Sequence, residues 1–549
     1  MRRLQVGGLP LLEAVMQRMR LREILSEHLP AGSRDGIAVA DVLRLLVVNL
    51  TLAKDPLYEL GQWVGTLDLR ALGFRQRPAG QFSDDRFARA LDKLYWADRA
   101  TLMTRLVVAT VDAFAVELSQ IHNDSTSVKA FGRIPGKTRT GFELHNGYSK
   151  DHRPDLKQLV FSLSIAQDGA VPVHHHVYSG NRNDETTHIE TWEALRRLHG
   201  TADFLYVADC KLCTGEQLLH IVRAGGRAIT VVPKGLVEVR QFLQRLRAAR
   251  LPRKVIWRRL VPNAESRREY FSLFEDIQHT DHGGYPIYWF HSSEKQRRDR
   301  HIRRQHIEDA EAALSELAPK VNARRLKRKA AILRAATAIV QKYGLEGLLN
   351  VRIAQHCERW RQRRRGRPGK IGRYRYRCRV SYSLHWARDA AALRGEARTD
   401  GVFPLLCTDP TIPARNVLRA HKFQPRLEKR FCQFKSIHGA APLLFKKIRR
   451  VEANMFMFFV ALMVQALLER QLRQRLAQRK APPLKLYPED RDAPHPTTSQ
   501  LLKTFDGLST YAILQDGQPV EEYHDQLNET HRTVLALMDV TEEQFWASI

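Results

Sequence analysis

Two aspartates in the sequence follow short stretches whose alternating or apolar character is typical of buried strands. Asp124 comes shortly after residues 114–122, and Asp209 directly follows residues 204–208. An aspartate in such a position most often caps a turn, and for each residue alone that interpretation stays open. Two carboxylates at the ends of neighbouring strands would also be placed to bind a hard divalent cation such as Mg²⁺.

A third carboxylate stands in a predicted helix over residues 424–438. Glu428 and Lys435 are seven residues apart, so on a helix they would share one face at a separation of about 10 Å. Phosphodiester chemistry with two divalent ions needs carboxylates to hold them, one ion activating the attacking oxygen and one stabilising the leaving oxygen. Asp124, Asp209 and Glu428 are the candidates for that role, and Lys435 could contact a neighbouring phosphate.

Other groups are weaker candidates for a site. Asp400 could be a rival third acid, but a Thr-Asp-Gly triplet before a predicted strand is more typical of a turn. Adjacent residues of a strand point to opposite faces, so the three consecutive histidines 174–176 cannot all bind one ion, and we interpret them as surface or interface residues. Cys210 and Cys213 form a Cys-x2-Cys pair with no second pair at zinc spacing, which we interpret as incidental.

The elements around the two aspartates follow one another in an informative order. A hairpin is predicted across Gln167-Asp168-Gly169. Hydrophobic patterns predict, in chain order, strands over 114–122, 156–166 and 170–178, a helix over 185–199, a strand over 204–208, a helix over 215–224 and a strand over 227–233. The order β-β-β-α-β-α-β, with carboxylates at the ends of the first and fourth strands, is the plan of an RNase H-like core.

The remaining patterns indicate what surrounds that core. Residues 9–115 have helical periodicity and could bind DNA ends or dimerise, whereas a Pro-rich linker and an acidic helical tail end the chain. The predicted fold class is α/β, with an RNase H-like mixed sheet, a β-rich and helical insertion, an α-helical N-terminal domain and a small helical C-terminal tail. The predicted domains are 1–115 (helical), 116–235 (core, first part), 236–398 (basic insertion), 399–470 (core, second part, with Glu428) and 471–549 (linker and tail).

The charge of the chain favours a polyanionic partner. The formal net charge of the 549 residues is +30. Residues 1–115 hold 16 basic and 13 acidic side chains, and residues 471–549 hold 8 and 12, so residues 116–470 carry an excess of +31. A field of this size attracts nucleic acid most often, with an anionic membrane surface as the alternative. The apolar run 455–468 is too short and too polar-flanked to span a bilayer and reads as a buried core helix.

The basic charge is densest in residues 361–379, which contain nine arginines and one lysine. Nearly uniform charge of this kind favours contact with phosphates over a merely solvated face. Residues 371–384 alternate Arg with apolar residues, which predicts a strand whose one face carries Arg373, Arg375 and Arg377. Six cysteines in 549 residues and an N-terminus without the apolar run of a signal peptide favour a reducing, cytoplasmic compartment.

Several of these stretches together resemble the DDE transposases of bacterial insertion sequences. The similar stretches are Asn123-Asp-Ser-Thr-Ser-Val-Lys129, Gly147-Tyr-Ser-Lys-Asp-His-Arg-Pro-Asp-Leu-Lys-Gln158, Gly180-Asn-Arg-Asn-Asp184, Val207-Ala-Asp-Cys210, Thr399-Asp-Gly401 and the Glu428-to-Lys435 spacing. The resemblance spans about residues 115–470. It is greatest to the group whose RNase H-like core carries an insertion before the catalytic Glu and whose Glu region has a Tyr-x2-Arg-x3-Glu-x6-Lys signature.

The resemblance implies a role for each matching residue. Asp124, Asp209 and Glu428 would bind two Mg²⁺ ions, with Mn²⁺ able to substitute, and Lys435 would contact DNA near the transposon end. Two signature positions depart from the family pattern, because His421 stands at the Tyr position and Gln424 at the Arg position. His421 could still donate a hydrogen bond to a phosphate, and Arg426 could supply the missing charge. Apart from the resemblance, Lys150, Arg153 and Lys157 could position DNA beside the active site, with mere solvation as the alternative.

The function implied is metal-dependent DNA transposition. The enzyme would cleave DNA at the terminal inverted repeats of its own element and transfer the strand into target DNA, as a homodimer on paired ends in the bacterial cytoplasm, associated with the nucleoid and not with a membrane. Two alternatives stay open. One is a sequence- or structure-specific nuclease with the same core and no strand transfer. The other is a catalytically inert DNA-binding protein.

Overall fold

The structure is a computed structural model. It describes residues 1–29, 37–74, 82–131, 134–146, 156–182, 187–261, 266–281, 283–361, 376–437, 439–440, 445–479, 482–487, 489, 491–516 and 518–546. Within these ranges the chain divides into two compact units. We call residues 1–230 together with 419–549 the core unit, and residues 231–418 the insert unit. The predicted insertion, 236–398, falls within the insert unit.

Strands occur in both units and at both ends of the chain. They are β1 (Arg2–Gln5), β2 (Gln120–Lys129), β3 (His145–Asn146), β4 (Lys157–Ala166), β5 (Pro172–Ser179), β6 (Leu205–Ala208), β7 (Arg227–Val231), β8 (Arg253–Leu260), β9 (Arg268–Phe274), β10 (Gln278–His279), β11 (Pro286–Ser292), β12 (Leu349–Arg361), β13 (Tyr376–Arg388), β14 (Val402–Cys407), β15 (Leu484–Lys485), β16 (Asp492–Ala493), β17 (Ser509–Gln515) and β18 (Gln518–His524).

Helices make up most of the remaining regular structure. They are α1 (Leu9–Arg18), α2 (Leu21–His28), α3 (Val39–Thr51), α4 (Leu60–Thr66), α5 (Asp84–Trp96), α6 (Arg99–Phe114), α7 (His188–His199), α8 (Gly215–Arg223), α9 (Val237–Ala248), α10 (Ser293–Leu317), α11 (Lys329–Lys342), α12 (Ala390–Glu396), α13 (Ala414–His421), α14 (Pro425–Cys432), α15 (Ile448–Gln478), α16 (Thr498–Thr504), α17 (Glu529–Met538) and α18 (Glu542–Phe545).

The core unit contains a mixed sheet in the order β5-β4-β2-β6-β7, with the short β3 also paired to β4. β4 pairs antiparallel with β2 and β5, whereas β6 pairs parallel with both β2 and β7. The crossover segments that join the parallel strands contain α7 and α8, as parallel connections require. The predicted β4–β5 hairpin and the β-β-β-α-β-α-β order are confirmed, and the strands before the two aspartates are direct neighbours.

The first strand of this sheet differs from the prediction. Residues up to 114 belong to α6, and β2 runs from Gln120 through Asp124 to Lys129, so the prediction that the strand ends at Asp124 is wrong. The polar run after residue 122 looked like the start of a loop, but its side chains are bonded across the sheet. Asn123 Nδ2 donates to Ser162 Oγ at 3.1 Å and to Ser164 Oγ at 3.0 Å on β4.

Helix α15 is the centre of the core unit. No residue of 455–468 is more than 3% exposed, and the helix packs against α1, α3, α5, α17 and β5. Among the described helices it alone is long and apolar enough to cross a membrane, and its apolar window is fully buried. The prediction of a buried core helix is confirmed. Burial of one large apolar side chain stabilises a fold by roughly 1.5–3 kcal/mol, so this helix supplies much of the hydrophobic stabilisation.

The two ends of the chain form one small sheet that the sequence interpretation missed. β17 pairs antiparallel with β18 and with β1, so the N-terminal region is not wholly helical and the tail is not a purely helical segment. The Asp516-Gly517 pair between two alternating stretches is a typical hairpin signal. Arg70 joins this region to the N-terminal helices by ion pairs to Asp68 and Glu522, both at 2.7 Å.

The insert unit combines a set of antiparallel strands with a long hairpin. The strands have the order β14-β11-β9-β8, and β10 pairs with β11. The predicted charged segment 294–342 is a helix pair, α10 and α11. These helices and the first half of the β12–β13 hairpin enclose a separate hydrophobic cluster that includes Leu314, Ile332, Ile353 and Leu384.

Candidate active site

The pairing of β2 with β6 places the two aspartates at the same level of the sheet. Gln120, Ile121 and His122 pair in parallel with Leu205, Tyr206 and Val207. Continuing that register by two residues aligns Asp124 with Asp209. Side chains alternate along a strand, so Asp124 projects from the face of β2 that carries His122, whereas Asp209 follows the last residue of β6.

The Asp209 side chain is held at the end of its strand but stays accessible. Its carboxylate accepts a hydrogen bond from the Lys211 amide at 3.0 Å, and its backbone carbonyl accepts one from Thr230 Oγ1 at 2.6 Å. The side chain is 42% exposed, and its Oδ1 lies 3.8 Å from Nε2 of the buried His188. A carboxylate that is fixed by its backbone and open on one side can accept a cation without rearrangement.

The Asp124 carboxylate is half-buried and accepts a hydrogen bond from the Ser125 amide at 2.7 Å. Both aspartates act on Tyr206, which lies on the opposite face of β6. Burial raises the pKa of the Tyr206 hydroxyl well above its usual value, and Tyr178, Asp209 and Asp124 raise it further. The phenol therefore stays protonated and bonds to His188 Nδ1 at 3.0 Å. The negative charges of Asp124 and Asp209 are thus both close enough to Tyr206 to act on its hydroxyl.

The segment with the third acid is anchored directly beside Asp124. Gln424, the residue that precedes α14, bonds through Oε1 to His122 Nδ1 at 2.9 Å and donates from Nε2 to the Asn123 carbonyl at 3.2 Å. The Phe423 ring lies 4.9 Å from the His122 ring. α14 therefore begins on the face of β2 that carries Asp124. Glu428 comes four residues after Gln424, on the same helical face one turn later.

Glu428 itself is exposed in this structure. The described residues contain no group of three or more His, Cys, Asp or Glu side chains that could hold one metal ion. The two aspartates are thus aligned, and the helix of Glu428 starts beside them, but the three carboxylates are not gathered around one point. Pro425 opens the helix, and Leu427, Arg430 and Phe431 form its buried side.

The segment between Glu428 and Lys435 is not a uniform α-helix. α14 ends at Cys432, and residues Gln433–Ile437 form a π-helical turn, so the predicted helical segment over 424–438 is confirmed, but its last part is not α-helical. A π-turn advances each residue by a smaller angle than an α-turn, which rotates Lys435 away from the face it would share with Glu428. Phe434 anchors this turn by stacking on Phe161 of β4 at a ring distance of 4.5 Å.

Two histidines next to the aspartates are neutral at physiological pH. Burial lowers the pKa of His122 to about 4, against the effect of its bond to Gln424, which raises it. Burial, together with Lys422 and His122, lowers the pKa of His421 to about 3. His421 can therefore offer a phosphate a hydrogen bond but no charge. Arg426 is exposed and charged on the first turn of α14.

The structure describes only two of the other predicted DNA contacts, Lys157 and Arg377. Lys157 opens β4 six residues before Leu163, the partner of Asp124, which is about 20 Å along the strand. Arg377 lies on the exposed face of β13 in the insert unit, where it alternates with Cys378 as the predicted basic strand requires. Four further candidates lie outside the described residues: Lys150, Arg153, Arg373 and Arg375.

The weaker candidates resolve differently. Asp400 is 4% exposed, lies in a turn and is bonded through Oδ2 to Arg303 Nη2 at 2.7 Å, as expected of a structural residue.

The interpretation of the histidine triplet as surface or interface residues is wrong for two of its members. His174 is buried, and the His175 ring stacks on Phe161 and lies 4.7 Å from the Phe459 ring. α15 covers the His175 side of β5, whereas His174 is buried on the opposite side of the strand.

Sequence reasoning missed the contact that fixes α14. Gln424 looked only like a departure from the family signature, because its partner His122 is 302 residues away in the chain. The signal that could have suggested it is the polar His122, two residues before Asp124 in a strand otherwise expected to be apolar.

Comparisons with known proteins give two findings. A family described as "Domain of unknown function (DUF4277)" matches residues 2–108, which covers the N-terminal helices. Among solved structures, the chain is similar to piggyBac transposase in a cryo-EM synaptic complex with hairpin DNA, at 8% sequence identity and a TM-score of 0.39, over 89% of this chain and 79% of that chain. No curated protein matches the sequence.

Proposed function

We propose that this protein is a DNA transposase of the DDE type, which cleaves DNA at the ends of its own element and joins them to target DNA. The observation that carries the proposal is the parallel register of β2 and β6, which aligns Asp209 with Asp124, the aspartate beside which the Glu428 helix begins. The strand order β5-β4-β2-β6-β7 supports an RNase H-like core, because its first and fourth strands in the chain are the neighbours that carry the aspartates.

The donor chemistry fits a hard divalent cation. Two carboxylates at one level of a sheet, with one of them 42% exposed, present the oxygen ligands that Mg²⁺ prefers. Asp124 and Asp209 would hold the ions, with Glu428 as the third ligand. When bound, two Mg²⁺ ions would activate the attacking oxygen and stabilise the leaving oxygen, and Mn²⁺ would be able to substitute.

The protein's own residues position the DNA around those carboxylates. Gln424 holds the start of α14 against β2, and from that helix Glu428 and Arg426 would reach towards the aspartates. Lys435 and the neutral His421 would contact phosphates near the cleaved bond. Water would attack the phosphorus at the element's end and release a 3′-hydroxyl. That hydroxyl would then form the new P–O bond with target DNA and displace the target's own 3′ oxygen.

The basic charge gives the proposed partner. The +31 excess of residues 116–470 would hold terminal repeats and target DNA through phosphate contacts. Because two ends must be cut together, we expect a homodimer on paired ends, in the cytoplasm of a bacterium and without membrane association.

The test is cleavage of DNA that carries the element's ends, in Mg²⁺, by the full-length protein. We expect Asp124→Asn, Asp209→Asn and Glu428→Gln each to lower the cleavage rate by at least a hundredfold. Asp203→Asn is the matched control, because Asp203 is 82% exposed and pairs only with Arg227 near the other end of β6. Full cleavage by the three variants would reject the assignment.

A second assay separates the proposal from its alternatives. Pre-cleaved ends are supplied with plasmid target, and joined products are counted. Joining supports a transposase, cleavage without joining supports a nuclease, and specific binding with neither reaction supports an inert DNA-binding protein.

A further inference from the structure

The insert unit contains a cleft that is lined by arginines and by no acid. The cleft has a volume of about 580 Å³ and lies where the end of α9, the start of β8, α10 and α12 meet. Its lining is Leu246, Arg250, Leu251, Arg253, Phe274, Gln296, Arg300, Arg394, Ala397 and Arg398. Five guanidinium groups thus surround a floor made by the buried side chains of Leu246 and Phe274.

Two of these arginines are held in place by the protein. Arg398 Nη1 donates to the carbonyls of Arg247 and Ala248 at 2.8 and 2.9 Å, which caps the C-terminal end of α9. The Arg253 guanidinium lies 5.7 Å from the centre of the Phe274 ring. Burial lowers the pKa of Arg253, and the charge of Arg250 lowers it further. The cleft is therefore a place where like charges already repel one another.

Four of the nearby carboxylates do not relieve that repulsion, because each is paired with another cation, and Glu275, the exposed residue after Phe274, does not line the cleft. Asp276 pairs with Arg245 and Glu396 with Arg247, both at 2.6 Å. Asp299 pairs with Lys295 at 2.6 Å, and Asp400 pairs with Arg303. Within the described residues, Arg250 and Arg300 form no hydrogen bond or ion pair. Exposed arginines without partners around an apolar floor form a site for an anion.

A second, smaller cleft adjoins the first at Arg300. It has a volume of about 220 Å³ and is lined by Arg300, Arg303, Arg304, Ile307, Arg388 and Leu393. Arg300 and Arg304 are one turn apart on α10, about 6 Å along the helix axis. A ligand with one phosphate group would occupy one cleft, whereas a chain of phosphates would fill both. Repeated phosphodiesters are therefore a better match than a small phosphate ester.

We propose that these two clefts of the insert unit bind consecutive phosphates of a DNA strand, at a site separate from the catalytic carboxylates. The assignment rests on the proposed function for the choice of DNA as the polyanion. The arginines would position the DNA without reading its sequence, because contacts to phosphates carry no base information.

The test measures the affinity of the full-length protein for a fluorescent duplex as salt is raised from 50 to 200 mM. The variant is the double substitution Arg250→Gln, Arg300→Gln. The control is Arg240→Gln, Arg298→Gln, which removes the same charge from exposed positions of α9 and α10 outside the cleft. The slope of log K against log salt is negative, and each lost phosphate contact makes it less steep by about 0.9.

We expect the slope of the cleft variant to be less steep than that of the wild type by about 1.8 on every duplex sequence, and the slope of the control to change by much less. Equal changes in both variants, or an unchanged slope in the cleft variant while the protein still cleaves DNA, would overturn the assignment and leave the transposase proposal intact. A wild-type protein that binds no DNA would overturn both.

Pyrophosphate binding, measured by calorimetry, distinguishes the other source of phosphate. If pyrophosphate binds the wild type but not the cleft variant while the DNA slope is unchanged, the clefts take a small phosphate ligand and the DNA assignment is wrong. Weak pyrophosphate binding together with the loss of slope supports the DNA backbone.

Discussion

At the scale of single residues, the candidate site depends on an uncharged link between Gln424 and β2. The side chain bonds to His122 and to the Asn123 carbonyl, so it fixes α14 without occupying the position of a ligand or a phosphate. We predict that Gln424→Ala lowers DNA cleavage about tenfold to a hundredfold while DNA affinity changes little, since groups that orient metal ligands have effects of this size.

The measurement compares the cleavage rate with DNA affinity for Gln424→Ala, His122→Ala and the double variant. Because the two residues form one bonded pair, we expect the losses to be clearly less than additive. Additive losses, or a loss that appears only in DNA affinity, would mean that Gln424 does not position the helix.

A second residue-scale prediction concerns pH. Burial, together with the charges of His176 and Arg197, lowers the pKa of His174 to about 3, and burial lowers the pKa of His175 well below its usual value. The unfolded chain takes up these protons near pH 6.5 and the folded chain does not. The free energy of unfolding is therefore unaffected by these histidines above pH 6.5. Below pH 6.5 it decreases as the pH falls, by up to about 1.4 kcal/mol per pH unit for each residue, because only the unfolded chain binds the protons.

Urea unfolding at pH 7.5 and 5.5 measures this effect. We expect a lower free energy of unfolding at pH 5.5, and a smaller difference between the two pH values in His174→Gln. The cavity around His174 also contains Arg99, Arg139, Arg182, Glu190 and Glu452, so the variant comparison is needed to isolate the histidine. Stability that increases on acidification would contradict the assignment.

Residue identity could be predicted where chemistry limits the choice of side chain. Asp124 and Asp209 stand out because a carboxylate after an apolar stretch is unusual enough to notice, and the register of β2 and β6 then brings them to one level. The position of Asp124 inside its strand could not be predicted, since that depends on bonds from Asn123 to serines of β4 that are some 40 residues away.

At the scale of elements, the β12–β13 hairpin offers a direct test of the insert unit. Its first half is covered by α10 and α11, whereas its outer half is exposed on both faces. Arg359 pairs with Cys378 and Cys357 with Val380, so the two cysteines are diagonal neighbours on one face, with Sγ atoms 2.8 Å apart. A shift of the pairing by one residue would send one of them to the other face.

We predict that a mild oxidant such as hydrogen peroxide joins Cys357 to Cys378 within one chain. Two thiols then form one disulfide while the peroxide is reduced to two waters. Peptide mass spectrometry detects the linked pair, and Cys432, which is exposed in the core unit, serves as the control thiol. If Cys357 forms no disulfide, or if other cysteine pairs are linked more often than Cys357 and Cys378, the strands of the hairpin pair differently.

Element types were predictable where periodicity is strong and elements are long. The β4–β5 hairpin, α7, α10 with α11 and the buried α15 follow from local patterns alone. The π-turn after Cys432 was not predictable, because it arises where Phe434 is drawn onto Phe161 of β4 while Leu427 and Phe431 stay buried. That turn changes the direction of Lys435, which spacing alone places on the face of Glu428.

At the scale of the whole molecule, the charge distribution could be predicted from the sequence, but the contacts between the two ends of the chain could not. The +30 charge and its concentration in residues 116–470 are read directly from the residues. The sheet that joins β1 to β17 links residues more than 500 positions apart, and the core unit is interrupted by the whole insert unit. No local pattern specifies such contacts, because they exist only once α15 has brought the two ends together.

The central claim is that Asp124, Asp209 and Glu428 form one divalent-metal site. Its most direct test is Mn²⁺ binding to the full-length protein with an element-end duplex present, followed by electron paramagnetic resonance. We predict tight Mn²⁺ binding that is lost in Asp124→Asn and in Asp209→Asn, weakened in Glu428→Gln and unchanged in Asp203→Asn. Equal Mn²⁺ binding by wild type, Asp124→Asn and Asp209→Asn would contradict the claim.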